Sequence, residues 1–131
     1  AWIAMQLIMR RPEITHFFSF SPPVNKYDFS FLSPCPTPGL IMQGDLDSVV
    51  SEESVHELAQ KLSKQKHIKV DYRMINGADH FFREKIDKLN EEIDDYLKSN
   101  FDHHSNHAEK KNDKKSKKIV NRPANKKLFL E

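Results

Sequence analysis

Two short acidic turns and one histidine are the parts of this sequence best suited to chemistry. Asp45 and Asp47 follow the apolar run GLIMQ, and His80, preceded by Asp79, follows the alternating run IKVDYRMI. If both runs are strands of one parallel sheet, their carboxyl ends lie at one edge and the two turns are neighbours. A carboxylate held against an imidazole fixes the tautomer of the ring and stabilises its protonated form. The spacing therefore predicts an acid–base pair able to activate a nucleophile.

The elements that must position these turns alternate between helical and strand patterns. Apolar residues cover nearly every face of one helical segment, residues 1–10, and recur at helical spacing in two others, with short β-branched or apolar runs between them. The predicted helices span residues 1–10, 51–66 and 82–99, and the predicted strands span 14–20, 39–43 and 68–75. Strands separated by helices indicate an α/β fold with a parallel sheet of about three strands and flanking helices.

The segment 21–38 carries most of the prolines and reads as a long irregular loop. Loops of this length in small domains commonly have a function of their own. Its aromatic residues Tyr27, Phe29 and Phe31 either shape a substrate pocket or pack the loop onto the sheet. Cys35 lies between two prolines without a basic neighbour, which favours packing over a nucleophilic role.

Charge divides the 131 residues into two parts. Residues 1–101 carry a net charge of −3, whereas residues 102–131 carry +5 and have almost no apolar periodicity. A segment of this composition buries too little to offset its chain entropy, so a folded domain at 1–101 and a disordered basic tail at 102–131 are predicted.

The single cysteine excludes a disulfide framework and suits a reducing, cytoplasmic location. No apolar run is long enough for a transmembrane helix, so no membrane partner is expected.

Residues 1–99 resemble the C-terminal half of an α/β-hydrolase. The turn GDLDSVV at 44–50 resembles the acid turn of that family, and GADHFF at 77–82 resembles its histidine turn. Three short segments, RRPE at 10–13, SPP at 21–23 and YDFSFL at 27–32, further resemble segments of small bacterial serine hydrolases related to dienelactone hydrolases and serine aminopeptidases. The resemblance implies hydrolysis of a small-molecule ester or amide, without a cofactor, through a Ser-Asp-His triad.

Carried over to this sequence, the resemblance makes Asp47 the triad acid and His80 the base. Asp45 is the rival acid. Asp47 is preferred because the family's acid lies three residues after the turn glycine and precedes a short apolar pair, here Val49 and Val50. Asp79 is expected to serve as a turn or helix-capping residue.

The nucleophile elbow Gly-x-Ser-x-Gly does not occur in the sequence. The resemblance places the serine before Ala1, so this chain is expected to begin inside a domain and to be inactive alone. The alternative is an inactive remnant or binding module from a split or truncated gene, whose basic tail makes weak contacts with polyanions. We expect no specific nucleic-acid partner. Because the sheet would lack a neighbour along one edge, self-association of the chain is predicted.

Two metal-based alternatives remain. The pair Asp45-x-Asp47 after an apolar strand also resembles the aspartyl nucleophile motif of haloacid-dehalogenase-type phosphatases, which requires Mg²⁺ and further acids. The histidines of the tail have a spacing that could bind a transition metal if the segment were helical. These are His103, His104 and His107. Neither has the additional ligands in sequence that a metal site requires, so no metal is predicted.

Overall fold

The computed structural model describes residues 1–101, which form three helices and three strands. The elements in chain order are α1 (Trp2–Ile8), β1 (Phe17–Phe20), β2 (Gly39–Gly44), α2 (Glu52–Ser63), β3 (Val70–Ile75) and α3 (Ile86–Phe101). The chain divides into two compact units, residues 1–93 and 94–131, and α3 begins in the first and ends in the second. The predicted disordered tail and its histidines lie outside the described residues.

The predicted parallel sheet is confirmed. Its order is β1-β2-β3, and both pairs of neighbouring strands are parallel. Every residue of β2 is buried, as expected for the central strand of a sheet covered on both faces. The register aligns Phe20 with Met42 and Gly44 with Ile75, so all three strands end at the same edge.

Helix α2 is positioned by its cap and by one apolar face. The Ser51 hydroxyl accepts a hydrogen bond from the Ser54 amide, and Glu52 and Glu53 occupy the first turn, where acids are favourable. One face of the helix is buried in a core shared with Ile41 of β2. Its buried residues are Val55, Leu58, Ala59 and Leu62. The helix ends at Ser63, slightly earlier than its sequence pattern predicts.

Helix α1 is buried on one face, whereas its sequence predicts burial on nearly all faces. Met5 and Ile8 contact the core, but Ile3 is 78% exposed and Leu7 is 50% exposed. Within the described residues, no element covers this outer face.

The long loop packs against the core. Phe29 and Leu32 are buried, and a short 3-10 turn spans Ser30–Leu32. The Trp2 indole donates a hydrogen bond to the Asp28 carbonyl at 2.9 Å, and its ring stacks on Tyr27. Cys35 is free and buried, which agrees with the packing role predicted for it.

The last helix begins later than predicted. Phe82 and Glu84 have φ angles of 56° and 58°, in the left-handed region, so a right-handed helix cannot run through them. Helix α3 therefore starts at Ile86. Its first half is held to β3 by Arg73, whose guanidinium donates to the Glu92 carboxylate at 2.8 Å.

None of the helices in residues 1–101 is long and apolar enough to cross a membrane.

Candidate active site

The turns after β2 and β3 are in contact because a glycine stands between them. A Cβ atom on Gly44 would lie 2.2 Å from the Ala78 carbonyl oxygen, closer than any side chain allows. The Leu46 amide donates to that same oxygen at 3.1 Å. The close approach brings the acid turn at residues 44–50 against the histidine turn at residues 77–82.

The contact between the turns joins Asp47 to His80. The His80 Nδ1 atom lies 2.8 Å from Asp47 Oδ2. The Asp47 side chain is fully buried, and the His80 side chain is 24% exposed. The geometry predicted for this pair is thus present.

The Asp47 carboxylate accepts hydrogen bonds at both oxygens. Oδ1 accepts from the Val49 and Val50 amides at 2.8 and 2.9 Å, and Oδ2 accepts from Gln43 Nε2 at 2.9 Å as well as from His80. Burial raises the pKa of Asp47, but hydrogen bonds from Val50, His80 and Val49 outweigh it and hold the pKa below its ordinary value. The group is therefore an ionised carboxylate at neutral pH, the state that stabilises an imidazolium.

Comparisons with known proteins assign the chain to a family. The model of the prolyl oligopeptidase family matches residues 10–104, well over half of the chain. The chain belongs to the prolyl oligopeptidase family. It is also 59% identical over 126 residues to an uncharacterized protein of Rickettsia prowazekii (strain Madrid E), covering 91% of this chain and 52% of that protein.

Solved structures show the same fold. A protein of unknown function from Agrobacterium tumefaciens, named as a candidate α/β-hydrolase, is 51% identical with a TM-score of 0.75. The match covers 78% of this chain and 47% of that one. An α/β serine hydrolase homologue from Coxiella burnetii is 30% identical, with a TM-score of 0.59, over 69% of this chain and 41% of its own. The chain is a partial α/β-hydrolase fold that spans about half the length of these relatives.

Among the described residues, Asp45, the rival acid, makes no hydrogen bond or ion pair with His80. It is exposed, and its Oδ1 accepts a hydrogen bond from the Gly77 amide at 2.6 Å. Its carboxylate therefore joins the two turns and leaves the imidazole to Asp47.

Asp79 is a turn residue, one of the two roles predicted for it, and it does not cap α3, which begins at Ile86. Its Oδ1 accepts from the Phe81 and Arg83 amides at 3.1 and 3.0 Å. Among residues 1–101, no three His, Cys, Asp or Glu side chains are grouped as metal ligands would be. The phosphatase-like arrangement of further acids around Asp45 and Asp47 is thus not found in this part of the chain.

Ser21 and Gln43 also contact the pair, and the sequence does not single out either one for a role there. Ser21 is buried directly after β1 with a φ of 43°, and its hydroxyl donates to the His80 carbonyl at 3.4 Å. Gln43 is the one polar side chain in a strand that is otherwise apolar. That single polar residue is the signal from which Gln43 could have been found, whereas a positive φ at a serine leaves no signal in the sequence.

A cleft of about 290 Å³ opens beside His80. Besides His80, its described lining combines polar and apolar residues: Ser21, Asn25 and Lys26, and Ala1, Phe20, Pro23, Val49 and Val50. With Nδ1 bound to Asp47, Nε2 is the ring nitrogen left to exchange a proton with a reactant. A larger cleft of about 530 Å³, between the long loop and α2, contains none of these site residues.

Proposed function

We propose that Asp47 and His80 are the acid and base of a Ser-Asp-His triad in a serine hydrolase that acts on small esters or amides. One observation carries the proposal. A fully buried, ionised carboxylate lies 2.8 Å from Nδ1 of a histidine that borders an open cleft. Membership of the prolyl oligopeptidase family supports it, since that membership makes the chain hydrolase-like.

The chemistry follows from the two ring nitrogens. Asp47 accepts a hydrogen bond from the His80 Nδ1–H group and stays ionised, which leaves Nε2 as the base that removes the proton of an attacking serine hydroxyl. The hydroxyl oxygen then attacks the substrate carbonyl, and the imidazolium that forms is stabilised by the buried carboxylate. His80 next donates its Nε2 proton to the leaving alcohol or amine, and an acyl-enzyme results. A water molecule, deprotonated by the same nitrogen, releases the acid.

The nucleophile is proposed to come from outside this chain. The sequence has no Gly-x-Ser-x-Gly elbow, and the chain spans about half of its relatives. We infer that the serine and the oxyanion-hole donors belong to the part of the fold that those relatives have in addition. The one cysteine, free and buried, is consistent with action in the cytoplasm.

Labelling of the serine tests this proposal. The chain alone should not react with a fluorophosphonate probe. A chimera should be labelled at one serine in its added part when it joins this chain to the portion of the Rickettsia prowazekii relative that the chain does not match. His80→Ala in the chimera should abolish labelling, whereas Ser63→Ala, at the end of α2 and away from the pair, should leave it intact.

Three outcomes would contradict the proposal. One is labelling of Ser21 or any other serine in the chain alone. A second is a folded chimera that remains unlabelled, which would support the inactive remnant or binding module. The third is undiminished labelling of the His80→Ala chimera, which would show that this histidine is not the base.

A further inference from the structure

Gln43 is a fully buried polar side chain in the central strand. It has no exposed surface, and it follows the apolar run Gly39–Met42. Burying an amide is unfavourable unless its polar atoms are hydrogen-bonded. The partners that it does have therefore show what the side chain is for.

Both protons of the Gln43 amide are used at the acid turn. Nε2 donates to Asp47 Oδ2 at 2.9 Å and to the Val50 carbonyl at 2.9 Å. Because both partners are acceptors, the amide can face them only with its nitrogen. The orientation of the group is thus fixed by its surroundings.

The other end of the same amide has no partner. Gln43 Oε1 is buried and lacks a hydrogen bond among the described residues. An unbranched apolar side chain of similar length, such as methionine, would fill this position without an unpaired acceptor. Core stability alone therefore does not account for a glutamine here.

The Gln43 contacts do something that the backbone donors to Asp47 do not. The Val49 and Val50 amides belong to the same turn as Asp47, so they fix the carboxylate within that turn. Gln43 belongs to β2, and it ties both Asp47 Oδ2 and the Val50 carbonyl to the sheet. It also shares Oδ2 with His80 Nδ1.

We propose that Gln43 is a positioning residue that holds Asp47 Oδ2 toward His80 and so keeps the imidazole in the Nδ1–H tautomer. In that tautomer Nε2 carries the free electron pair. The importance of this tautomer for hydrolysis rests on the proposed function, but the contact itself does not. The tautomer of a histidine is set by the hydrogen bond that one ring nitrogen makes, and a displaced acceptor would release it.

Nitrogen-15 NMR of the imidazole in the full chain measures the tautomer directly at a pH where the ring is neutral. In the unmodified chain the Nδ1–H form of His80 should predominate. Gln43→Met should shift the population toward the Nε2–H form that free imidazole side chains favour. Gln65→Met is the matched control, because Gln65 also bridges backbone groups, at Cys35 and Leu32, but does not contact the pair. It should leave the tautomer unchanged.

A double variant shows whether the effect passes through the acid. In an Asp47→Asn background, Gln43→Met should cause no further change in the His80 ring. An unchanged or increased Nδ1–H fraction in a folded Gln43→Met chain would overturn the proposal, and so would an equal effect in the Asp47→Asn background.

A further measurement uses the unmodified chain, so its result does not depend on whether a variant folds. Because both donors share Oδ2, the Gln43 amide protons and the His80 Nδ1 proton should show a direct nuclear Overhauser effect. Absence of that effect while both signals are observed would also overturn the proposal. None of these readouts depends on activity, so failure of the proposed hydrolase function would leave them interpretable.

Discussion

Asp45 and Gly77 are joined by a hydrogen bond between two turns that lie 32 positions apart in the chain, with the Gly77 amide 2.6 Å from Asp45 Oδ1. The bond closes the edge of the sheet beside the Asp47–His80 contact. The two neighbouring acids thus have different roles. The Asp45 carboxylate joins the two turns, and the Asp47 carboxylate is hydrogen-bonded to His80.

Because Asp45 joins the two turns through a hydrogen bond, a substitution that keeps an oxygen acceptor there should preserve most of the stability. Asp45→Ala removes the acceptor for the Gly77 amide, and because the site is exposed the loss should cost about 1 kcal/mol of unfolding free energy. Asp45→Asn keeps an oxygen acceptor at the same place and should recover most of that loss. Urea unfolding of both variants measures the difference. Equal destabilisation by alanine and asparagine would indicate that the negative charge matters more than the acceptor.

The close approach of the turns predicts an order of severity for two glycine substitutions. Gly44→Ala would place a Cβ 2.2 Å from the backbone oxygen of Ala78, so the turns must separate, at a cost of about 3 kcal/mol. Gly77→Ala meets only the flexible end of Lys85, and its φ of +74° should cost about 1–2 kcal/mol. Thermal or urea unfolding gives both values. A milder effect at Gly44 than at Gly77 would contradict the contact between the turns.

Low pH should destabilise the folded chain, partly because Asp47 becomes protonated. Its pKa in the folded state lies below the ordinary value of 3.8, so the native state binds this proton less readily than the unfolded state. The resulting stability is present above the unfolded-state pKa and is lost as the pH falls through the folded-state pKa. Asp47→Asn should therefore be less stable at pH 7 and show a shallower decline below about pH 4. Unfolding free energies measured from pH 7 to pH 3 test this, and parallel pH curves for the two proteins would contradict it.

The edge of β1 leads to a prediction about association. Within residues 1–101, β1 pairs with β2 alone, and Phe18 and Phe20 are 39% and 41% exposed. A strand with one open edge and exposed aromatic residues favours pairing with a second chain. Sedimentation should show an average mass that rises with concentration, and a charged substitution, Phe18→Lys, should reduce the rise. A monomer at every concentration would count against this expectation.

Sequence reasoning succeeded where local pattern and topology agree. The alternating and apolar runs predict the three strands, and the rule that functional groups follow strands at their carboxyl ends selects the turns of Asp47 and His80. Strand position alone does not choose between Asp45 and Asp47, since both carboxylates follow the same strand. The family resemblance favours Asp47, and the structure places the Asp47 carboxylate at the ring.

Other features depend on backbone angles or on distant contacts. Phe82 and Glu84 adopt left-handed conformations that their residue types do not favour, so the start of α3 was predicted too early. Gln43 is the one polar residue of its apolar strand, but the sequence does not show that its amide donates to Asp47. The outer face of α1 is exposed because none of the described elements packs against it.

The most direct test of the central claim compares the two acids in the chimera that joins this chain to the unmatched part of the Rickettsia prowazekii relative. If Asp47 is the triad acid, Asp47→Asn should lower kcat/KM for a small activated ester by about 10⁴-fold, because the wrong tautomer of His80 is then favoured. Asp45→Asn, which keeps its hydrogen bond to Gly77, should stay within about tenfold of the unmodified chimera. A large loss with Asp45→Asn together with little loss at Asp47 would contradict the assignment of Asp47 and His80 as the acid and base.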